Sequence, residues 1–144
     1  EDRIPLKRGR IPERVLYHDP CNIAREGRIV DEPREILRRL CADFVDPEPR
    51  GRENLCCGGG GGTVSLDEIK DFRMNVSGRL KAEQIRRSGA RIVVSPCANC
   101  KKQLRELVEA HELEEVEVMG LHQLLLRAVD FDRLRGQEGG AAHA

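Results

Sequence analysis

The sequence predicts an α/β domain in which a small, mostly parallel sheet of about four strands is flanked by helices. Short apolar segments alternate with longer segments of helical periodicity, and turn residues separate most of them. Parallel neighbours in a sheet need a right-handed crossover, for which a helix is the usual connection. The 144 residues, 39% of them hydrophobic, suffice for one ordinary core, so a single domain is expected.

Charge and hydropathy limit the function classes. Lys plus Arg and Asp plus Glu both total 25, so no net field attracts a phosphate backbone and a nucleic-acid partner is not expected. No apolar run reaches the roughly 20 residues that span a bilayer, and the first residues lack the apolar stretch of a signal peptide. We therefore expect a cytoplasmic chain without a membrane span of its own.

Composition divides the chain into three parts. Residues 1–13 carry two prolines and seven charges without an apolar period, which is typical of a linker or of the remnant of an upstream segment. Residues 14–130 contain the alternating strands and helices and form the predicted domain. Residues 131–144 are expected to be a flexible tail.

The first predicted elements are a strand, a helix and a second strand. Residues 14–18 form a short apolar strand that stops before Pro20, since proline cannot continue a ladder. Residues 33–41 have apolar positions at helical spacing. Cys41 is expected on the apolar face of this helix, where a buried cysteine acts as a small hydrophobe. Residues 44–45 are expected to form the second strand.

The middle of the chain predicts a loop and one long helix. Residues 46–62 have loop composition. Ser65 opens a capping-box pattern and Gly89 is a typical helix end, so the helix is expected to span 65–89. Gly78 inside it is either a tolerated glycine or the sign of a close approach by neighbouring backbone. One face of this helix carries an apolar stripe, consisting of Leu66, Ile69, Phe72, Val76 and Leu80.

Two further strand and helix pairs complete the predicted fold. Residues 91–95 form the clearest strand of the sequence, and a helix is expected to begin near Ala98. Residues 116–118 and 121–129 repeat the order of strand and helix. These pairs supply the third and fourth strands.

Five of the six cysteines come after predicted strands. Cytosolic thiols are kept reduced, so metal ligands or redox groups are expected rather than a disulfide framework. Parallel sheets place their ligand sites at the carboxyl ends of the strands. We therefore expect a metal site at that edge, formed by Cys21, Cys56, Cys57, Cys97 and Cys100.

The spacing of these cysteines favours a cluster over a single ion. Cys97 and Cys100 lie three residues apart at the start of a helix, where both sulfurs can face one point. The adjacent Cys56 and Cys57 normally cannot both bind one small tetrahedral ion without strain, whereas they can reach different atoms of a larger cluster. Five thiolates suit a polynuclear iron–sulfur site, and a zinc site would use four of them and leave one spare.

Residues next to the cysteines are candidates for supporting roles. Five consecutive glycines, 58–62, allow the backbone to fold against an inorganic group and to direct amides at its sulfides, with Gly58 and Gly59 nearest the cysteine pair. A phosphate-binding loop is the competing interpretation, but the Lys-Ser or Lys-Thr of the nucleotide motif does not follow. His18 would donate a hydrogen bond to a cluster sulfur or carry a proton, unless the backbone satisfies its ring.

Three cations on the long helix have two interpretations. Arg73, Arg79 and Lys81 would face an anionic substrate or cluster, or they would form a solvated surface. Because 35% of the chain is charged, we expect the solvated surface.

These motifs together resemble the cysteine-rich CCG domain of the heterodisulfide reductase family. The family signature is one cysteine, a CC pair and a CxxC motif, and the two intervals here are 34 and 39 residues, the second slightly long. The resemblance covers about residues 14–130. Its most similar stretches, YHDPCNIAR, NLCCGGGGG and SPCANCKKQL, look most like the iron–sulfur subunit of membrane-linked redox complexes of sulfate reducers.

The resemblance implies an oxidoreductase that acts on sulfur groups. It implies a noncubane [4Fe-4S] cluster held by the five matched cysteines, at which a disulfide or related persulfidic substrate is cleaved in one-electron steps. Electrons would come from other subunits of a redox complex, including a ferredoxin-like donor, and any membrane association would be through those partners. The chain has one such domain and lacks a CxxCxxC segment, whereas catalytic members usually carry two domains and often that segment.

Two alternatives to this function stay open. A structural Zn²⁺ module that only supports assembly is consistent with the tetrahedral geometry of a CxxC motif. An electron-relay subunit of a glycolate- or lactate-oxidising complex is the other, since iron–sulfur subunits of those complexes also carry CCG domains. Cys41 lies outside the signature.

Overall fold

A computed structural model describes residues 4–7 and 11–135, and within them four strands form one parallel sheet. The strand order is β2-β1-β3-β4, and each pair of neighbours is parallel. The prediction of an α/β domain with a small parallel sheet is therefore confirmed. The strands are β1 (Ile11–Tyr17), β2 (Cys41–Val45), β3 (Ile92–Val94) and β4 (Glu117–Met119).

Helices connect the strands. They are α1 (Asp31–Leu40), α2 (Lys70–Phe72), α3 (Arg79–Ser88), α4 (Ala98–Ala110) and α5 (Leu121–Ala128). The described residues also include two π-helical turns, at Asn22–Glu26 and Arg73–Ser77. The predicted start of α4 at Ala98 agrees with the structure.

Alternate strand residues pack on opposite faces of the sheet, as the two-residue period of a strand requires. One core cluster contains Leu16 of β1 and Val93 of β3, packed with Ile85 of α3 and Leu104 of α4. Cys57 and Cys100 belong to this cluster, so part of the candidate site lies within this half of the core.

The other face of the sheet is covered by α1 and α5. Val15 of β1 and Ile92 of β3 pack there with Leu37 of α1 and Leu124 of α5. Helices thus cover both faces, which explains why the central strand β3 and the end of β1 are continuous apolar runs rather than alternating ones.

Two boundaries in the first part of the chain differ from the predictions. β1 begins at Ile11, inside the expected linker, and the pairing register with β2 shifts between Ile11 and Arg14. This irregularity accommodates Pro12, which has no amide to donate. Cys41 does not continue α1: it is extended, pairs with Ile11 and opens β2, so the expected helical position of Cys41 is wrong, although the residue is buried.

The division into linker, domain and tail stays a prediction. Leu6 forms an isolated antiparallel bridge with Val129, and the Lys7 amide donates to the Ala128 carbonyl at 2.8 Å. Residues 136–144, which make up most of the expected tail, lie outside the described residues.

The expected single helix over residues 65–89 is wrong in its first half. Short 3₁₀ turns cover Thr63–Ser65 and Asp67–Ile69, and the residue that precedes the second turn is Leu66, not the predicted cap Ser65. The π-helical turn Arg73–Ser77 then separates α2 from α3, closed by a bond from the Gly78 amide to the Arg73 carbonyl at 2.9 Å. The predicted end at Gly89 agrees with its left-handed conformation.

The face of this segment that packs inward is the opposite of the one its apolar stripe suggests. Four stripe residues, Leu66, Phe72, Val76 and Leu80, are 49–58% exposed. Arg73 and Lys81 are buried, whereas Arg79 is exposed. The expectation of a solvated surface is therefore wrong for Arg73 and Lys81. Arg73 pairs with Glu106 of α4, 33 residues away, and Lys81 packs inward with a hydrogen bond to Gln84.

Gly78 marks a close approach of the chain. A Cβ atom at this position would lie 2.6 Å from Leu107 Cδ2 and 2.6 Å from the Arg73 carbonyl oxygen. We expect Gly78→Ala to lower the free energy of unfolding by about 1–3 kcal/mol through overpacking. Urea unfolding followed by circular dichroism measures the change.

Gly60→Ala is the matched control for Gly78→Ala. No atom lies within 4 Å of a Cβ at position 60, so this variant is expected to unfold like the parent protein. Equal stability of the two variants would contradict the close-packing interpretation of Gly78.

Candidate metal centre

The five predicted ligands all follow strands at the carboxyl edge of the sheet. Cys21 directly precedes the π-helical turn after β1, and Cys56 and Cys57 lie in the loop after β2. Cys97 is the N-cap of α4, and Cys100 lies in its first turn. Adjacent parallel strands end at this edge, so the topology brings three distant segments together.

Four of the thiols form a connected array. Cys57 Sγ and Cys100 Sγ are 3.5 Å apart. The Cys57 thiol also interacts with that of Cys56, which in turn interacts with that of Cys21. Cys97 packs against the core cluster that contains Cys57 and Cys100, and among the described residues no hydrogen bond joins its thiol to the other four.

The five thiols differ in how deeply they are buried. Cys57 and Cys100 are 4% and 8% exposed, whereas Cys21 and Cys97 are partly buried and Cys56 is exposed. No disulfide is formed among the six cysteines. The array therefore has a buried inner part, at Cys57 and Cys100, and an accessible rim at Cys56.

Crowding and burial raise the pKa of Cys21, Cys56 and Cys57. The hydrogen bond with Cys100, together with burial, raises the pKa of Cys57 to about 11. The hydrogen bond with Cys57 and burial raise the pKa of Cys56, and burial followed by the nearby Cys56 raises that of Cys21. Thiolates at these positions therefore need a cation or a positively charged core to displace the protons.

His18 lies beside the buried thiols. Its side chain is 1% exposed, and both ring nitrogens lack a hydrogen-bond partner within the described part of the chain. One ligand atom each from His18, Cys57 and Cys100 lie within 4.8 Å of one another. Burial lowers the pKa of His18 well below its usual value, so the ring is neutral.

The orphaned ring of His18 is the clearest indication that a further group fits this site. A buried polar atom without a partner is costly, and native structures rarely leave one without a functional reason. A neutral imidazole can donate from one nitrogen and accept, or bind a metal, through the other. Thiols and imidazole together form a donor set that suits iron–sulfur clusters and zinc.

Glycines bring the backbone close to the array. The Gly58 amide donates to Cys56 Sγ at 3.3 Å, and the Gly59 amide donates to the Cys57 sulfur. A Cβ at Gly58 would lie 2.7 Å from Ser77 Oγ, and one at Gly59 would lie 2.8 Å from the Gln103 Cβ. The first two glycines of the run are therefore required by close packing, and their amides point at sulfur.

Sequence reasoning missed an ionic network that fixes the loops around the site. Arg34 of α1 donates to both carboxylate oxygens of Asp19, at 2.9 and 2.7 Å, and also to Asp46 at 2.8 Å. Asp19 Oδ2 accepts a further bond from the Gly51 amide at 2.8 Å. The network ties the end of β1 to the loop that leads to Cys56. The available signal was the position of Arg34, one turn before Leu37 on the buried face of α1.

Fold and site together define a cysteine-rich α/β domain with a thiol array at the carboxyl edge of a parallel sheet. A family model described as the CCG cysteine-rich domain matches residues 15–105. The chain belongs to this family, and the resemblance inferred from the cysteine motifs is confirmed.

Curated relatives are iron–sulfur proteins and oxidoreductase subunits by name. A subunit of the fumarate reductase (CoM/CoB) of Methanothermobacter marburgensis is 36% identical over 91% of this chain and 26% of its own length. Hdr-like menaquinol oxidoreductase iron-sulfur subunit 2 of Archaeoglobus fulgidus is 37% identical over 80% of this chain and 21% of its own. A probable membrane-anchored ferredoxin of Chromohalobacter salexigens is 33% identical over 89% of this chain and 18% of its own length.

The chain thus spans 18–26% of the length of these three relatives. No solved structure matches it significantly. The names of the three relatives support the prediction of an iron–sulfur electron-transfer domain from a redox complex with several subunits. No helix within residues 4–7 and 11–135 is long and apolar enough to cross a membrane.

Proposed function

We propose that the chain is the iron–sulfur domain of a heterodisulfide-reductase-like oxidoreductase, with a noncubane [4Fe-4S] cluster held by five cysteines. The ligands are Cys21, Cys56, Cys57, Cys97 and Cys100. The observation that carries the proposal is the convergence of thiols from three loops, with the Cys57 and Cys100 sulfurs 3.5 Å apart. The names of the relatives, which include iron–sulfur subunits and a CoM/CoB-linked enzyme, agree with it.

The pair of adjacent cysteines supports a polynuclear group. Cys56 is exposed at the rim, whereas Cys57 is buried beside Cys100. The two sulfurs therefore face different surroundings, as ligands of different iron atoms would. The amides of Gly58 and Gly59 donate to these sulfurs, and such bonds are a known means of tuning iron–sulfur sites.

The proposed reaction is reductive cleavage of a disulfide or related persulfidic substrate. When bound, the cluster would supply the electrons one at a time. Substrate would enter from the rim at Cys56, because the inner thiols and His18 are covered by the core. His18, neutral and buried next to Cys57 and Cys100, would donate a hydrogen bond from a ring N–H to sulfur and so orient that side of the site.

Electrons would come from other subunits of a redox complex, including a ferredoxin-like donor. The relatives are several times longer than this chain, which leaves room in those proteins for such components. Any association with a membrane would depend on partners of this kind.

A structural zinc site is the second candidate, favoured by one specific observation. His18, Cys57 and Cys100 offer three ligand atoms within 4.8 Å of one another, and one more thiol would complete a tetrahedral set. Under this alternative the domain would support assembly without transferring electrons.

Metal and sulfide analysis of the anaerobically purified chain separates the two candidates. We expect about four irons per chain with matching acid-labile sulfide, as a [4Fe-4S] cluster requires, and a paramagnetic signal in the oxidised state that changes when a disulfide is added. One equivalent of zinc without iron would exclude the proposal. A signal that responds to a hydroxy acid and not to a disulfide would favour the electron-relay alternative.

A further inference from the structure

Lys81 is a buried cation on the helix that faces the thiol array. It lies in α3, one residue before Ala82, which packs in the same core cluster as Cys57 and Cys100. The Lys81 side chain is 1% exposed. Lysine is almost never buried to this degree unless a partner compensates its charge.

The charge of Lys81 acts on Cys21, Cys56, Cys57 and Cys100. It interacts electrostatically with Cys57, Cys56 and Cys100, and with Asp19. It also contributes to lowering the pKa of His18 and opposes the rise in the pKa of Cys21. Lys81 therefore belongs to the electrostatic environment of the cysteines rather than to the outer surface of α3.

The carboxylate whose charge acts on Lys81, that of Asp19, is already paired with Arg34 at 2.7 Å. The Lys81 Nζ donates to Gln84 Oε1 at 2.5 Å, and among the described residues it forms no ion pair. An ammonium has three donors, so two are left after this bond. Leaving a buried charge without a counter-charge costs several kcal/mol, and in agreement burial lowers the pKa of Lys81 to about 8.

We propose that the counter-charge is the iron–sulfur group itself, and that the charge of Lys81 raises the reduction potential of that group. The inference rests on the proposed cluster and assigns it a specific partner in the protein. Five thiolates carry five negative charges, which the positive charge of a ferric and ferrous core offsets only in part. A fixed ammonium at this site therefore stabilises the loaded protein.

The same charge favours the reduced state over the oxidised one. Each electron that enters adds one negative charge, and attraction to a nearby cation grows with that charge. Water screens the attraction only weakly, because the Lys81 side chain is buried. Net charge and hydrogen bonds to sulfur are two of the established determinants of iron–sulfur potentials.

The test is a redox titration of Lys81→Met, followed by paramagnetic resonance and visible absorption. Methionine keeps the length and apolar stem of lysine and removes its charge. At a fixed potential near the midpoint, the ratio of reduced to oxidised cluster is expected to fall at least tenfold, which corresponds to about 59 mV for a one-electron couple. Lys81→Arg keeps the charge and is expected to restore most of that ratio.

Lys70→Met is the matched control. Lys70 is exposed at the start of α2, so the same substitution removes the same formal charge away from the site. The midpoint potential of this variant is expected to equal that of the parent protein. A Lys81→Met protein with an unchanged midpoint would overturn the inference.

A second measurement covers the case in which Lys81→Met loses its cluster. Iron per chain is then compared between Lys81→Gln and Lys81→Arg. If Lys81→Arg retains its iron and Lys81→Gln loses it, the site requires the charge of Lys81. Equal loss of iron in both variants would overturn the inference and indicate a steric role. If the parent protein itself binds no iron, the proposed function fails first, so the two failures are distinguishable.

Discussion

Replacing Cys57 by alanine is expected to lower the iron retained by the anaerobic protein by more than about tenfold, since even residues beyond the ligands change metal affinity by that factor. Cys57 is the buried centre of the thiol array, 3.5 Å from Cys100 and in contact with the thiol of Cys56. Cys56→Ala is expected to be equally severe, because each of the adjacent sulfurs would serve a different iron. Iron and sulfide per chain, together with visible absorption, measure both losses.

Cys41→Ala is the matched control for these variants. Cys41 is buried in β2 and packs in the core cluster on the opposite face of the sheet. The variant is expected to keep its iron and to lose only some stability. If Cys56→Ala keeps one equivalent of metal while Cys57→Ala loses it, a four-ligand ion occupies the site and the cluster proposal is contradicted.

Arg34→Met is expected to lower the free energy of unfolding by about 3–5 kcal/mol, because it leaves a buried carboxylate without its partner. Asp19 and Arg34 are both almost fully buried and are joined by two hydrogen bonds, at 2.9 and 2.7 Å. Arg34→Lys should recover only part of the loss, since an ammonium cannot reproduce the bidentate pairing and the third bond to Asp46. Urea unfolding measures the three proteins.

Arg14→Met serves as the control for this ionic network. Arg14 pairs with Asp43 at 3.0 Å, and both side chains are nearly half exposed, so its removal is expected to cost less than about 1 kcal/mol. If Arg34→Met is no more destabilising than Arg14→Met, the buried pair does not anchor the loops around the site.

The parts of the fold that could be predicted are those in which local sequence and tertiary structure agree. Residues 92–94 are apolar, β-branched and bounded by turn residues, so their strand was evident. The start of α4 follows from the CxxC motif after a proline, and Gly89 ends α3 because glycine adopts the left-handed conformation without strain. The cysteine motifs indicated one edge of the sheet because strands of a parallel sheet end there together.

The remaining parts depend on contacts between distant residues, which apolar periodicity does not report. Phe72 and Val76 predicted the buried face of a helix, yet that face is exposed and Arg73 is buried instead, paired with Glu106 of α4 at 2.7 Å. Lys81 is buried near thiols that come from other loops. Neither Glu106 as the partner of Arg73 nor the thiols near Lys81 can be found from the local pattern of apolar residues. The orphaned ring of His18 likewise becomes visible only once its surroundings are known.

The arrangement of cysteines after β1, β2 and β3 has a consequence for the unfolded chain. A group bonded to thiols from all three loops would close two long rings of polypeptide, and closing rings lowers the conformational entropy of the denatured ensemble. Much of its contribution to stability would then arise outside the native state, without any added contact within the sheet. This holds while the group stays bonded to the unfolded chain; where unfolding releases it, its binding free energy adds to the stability of the folded protein instead.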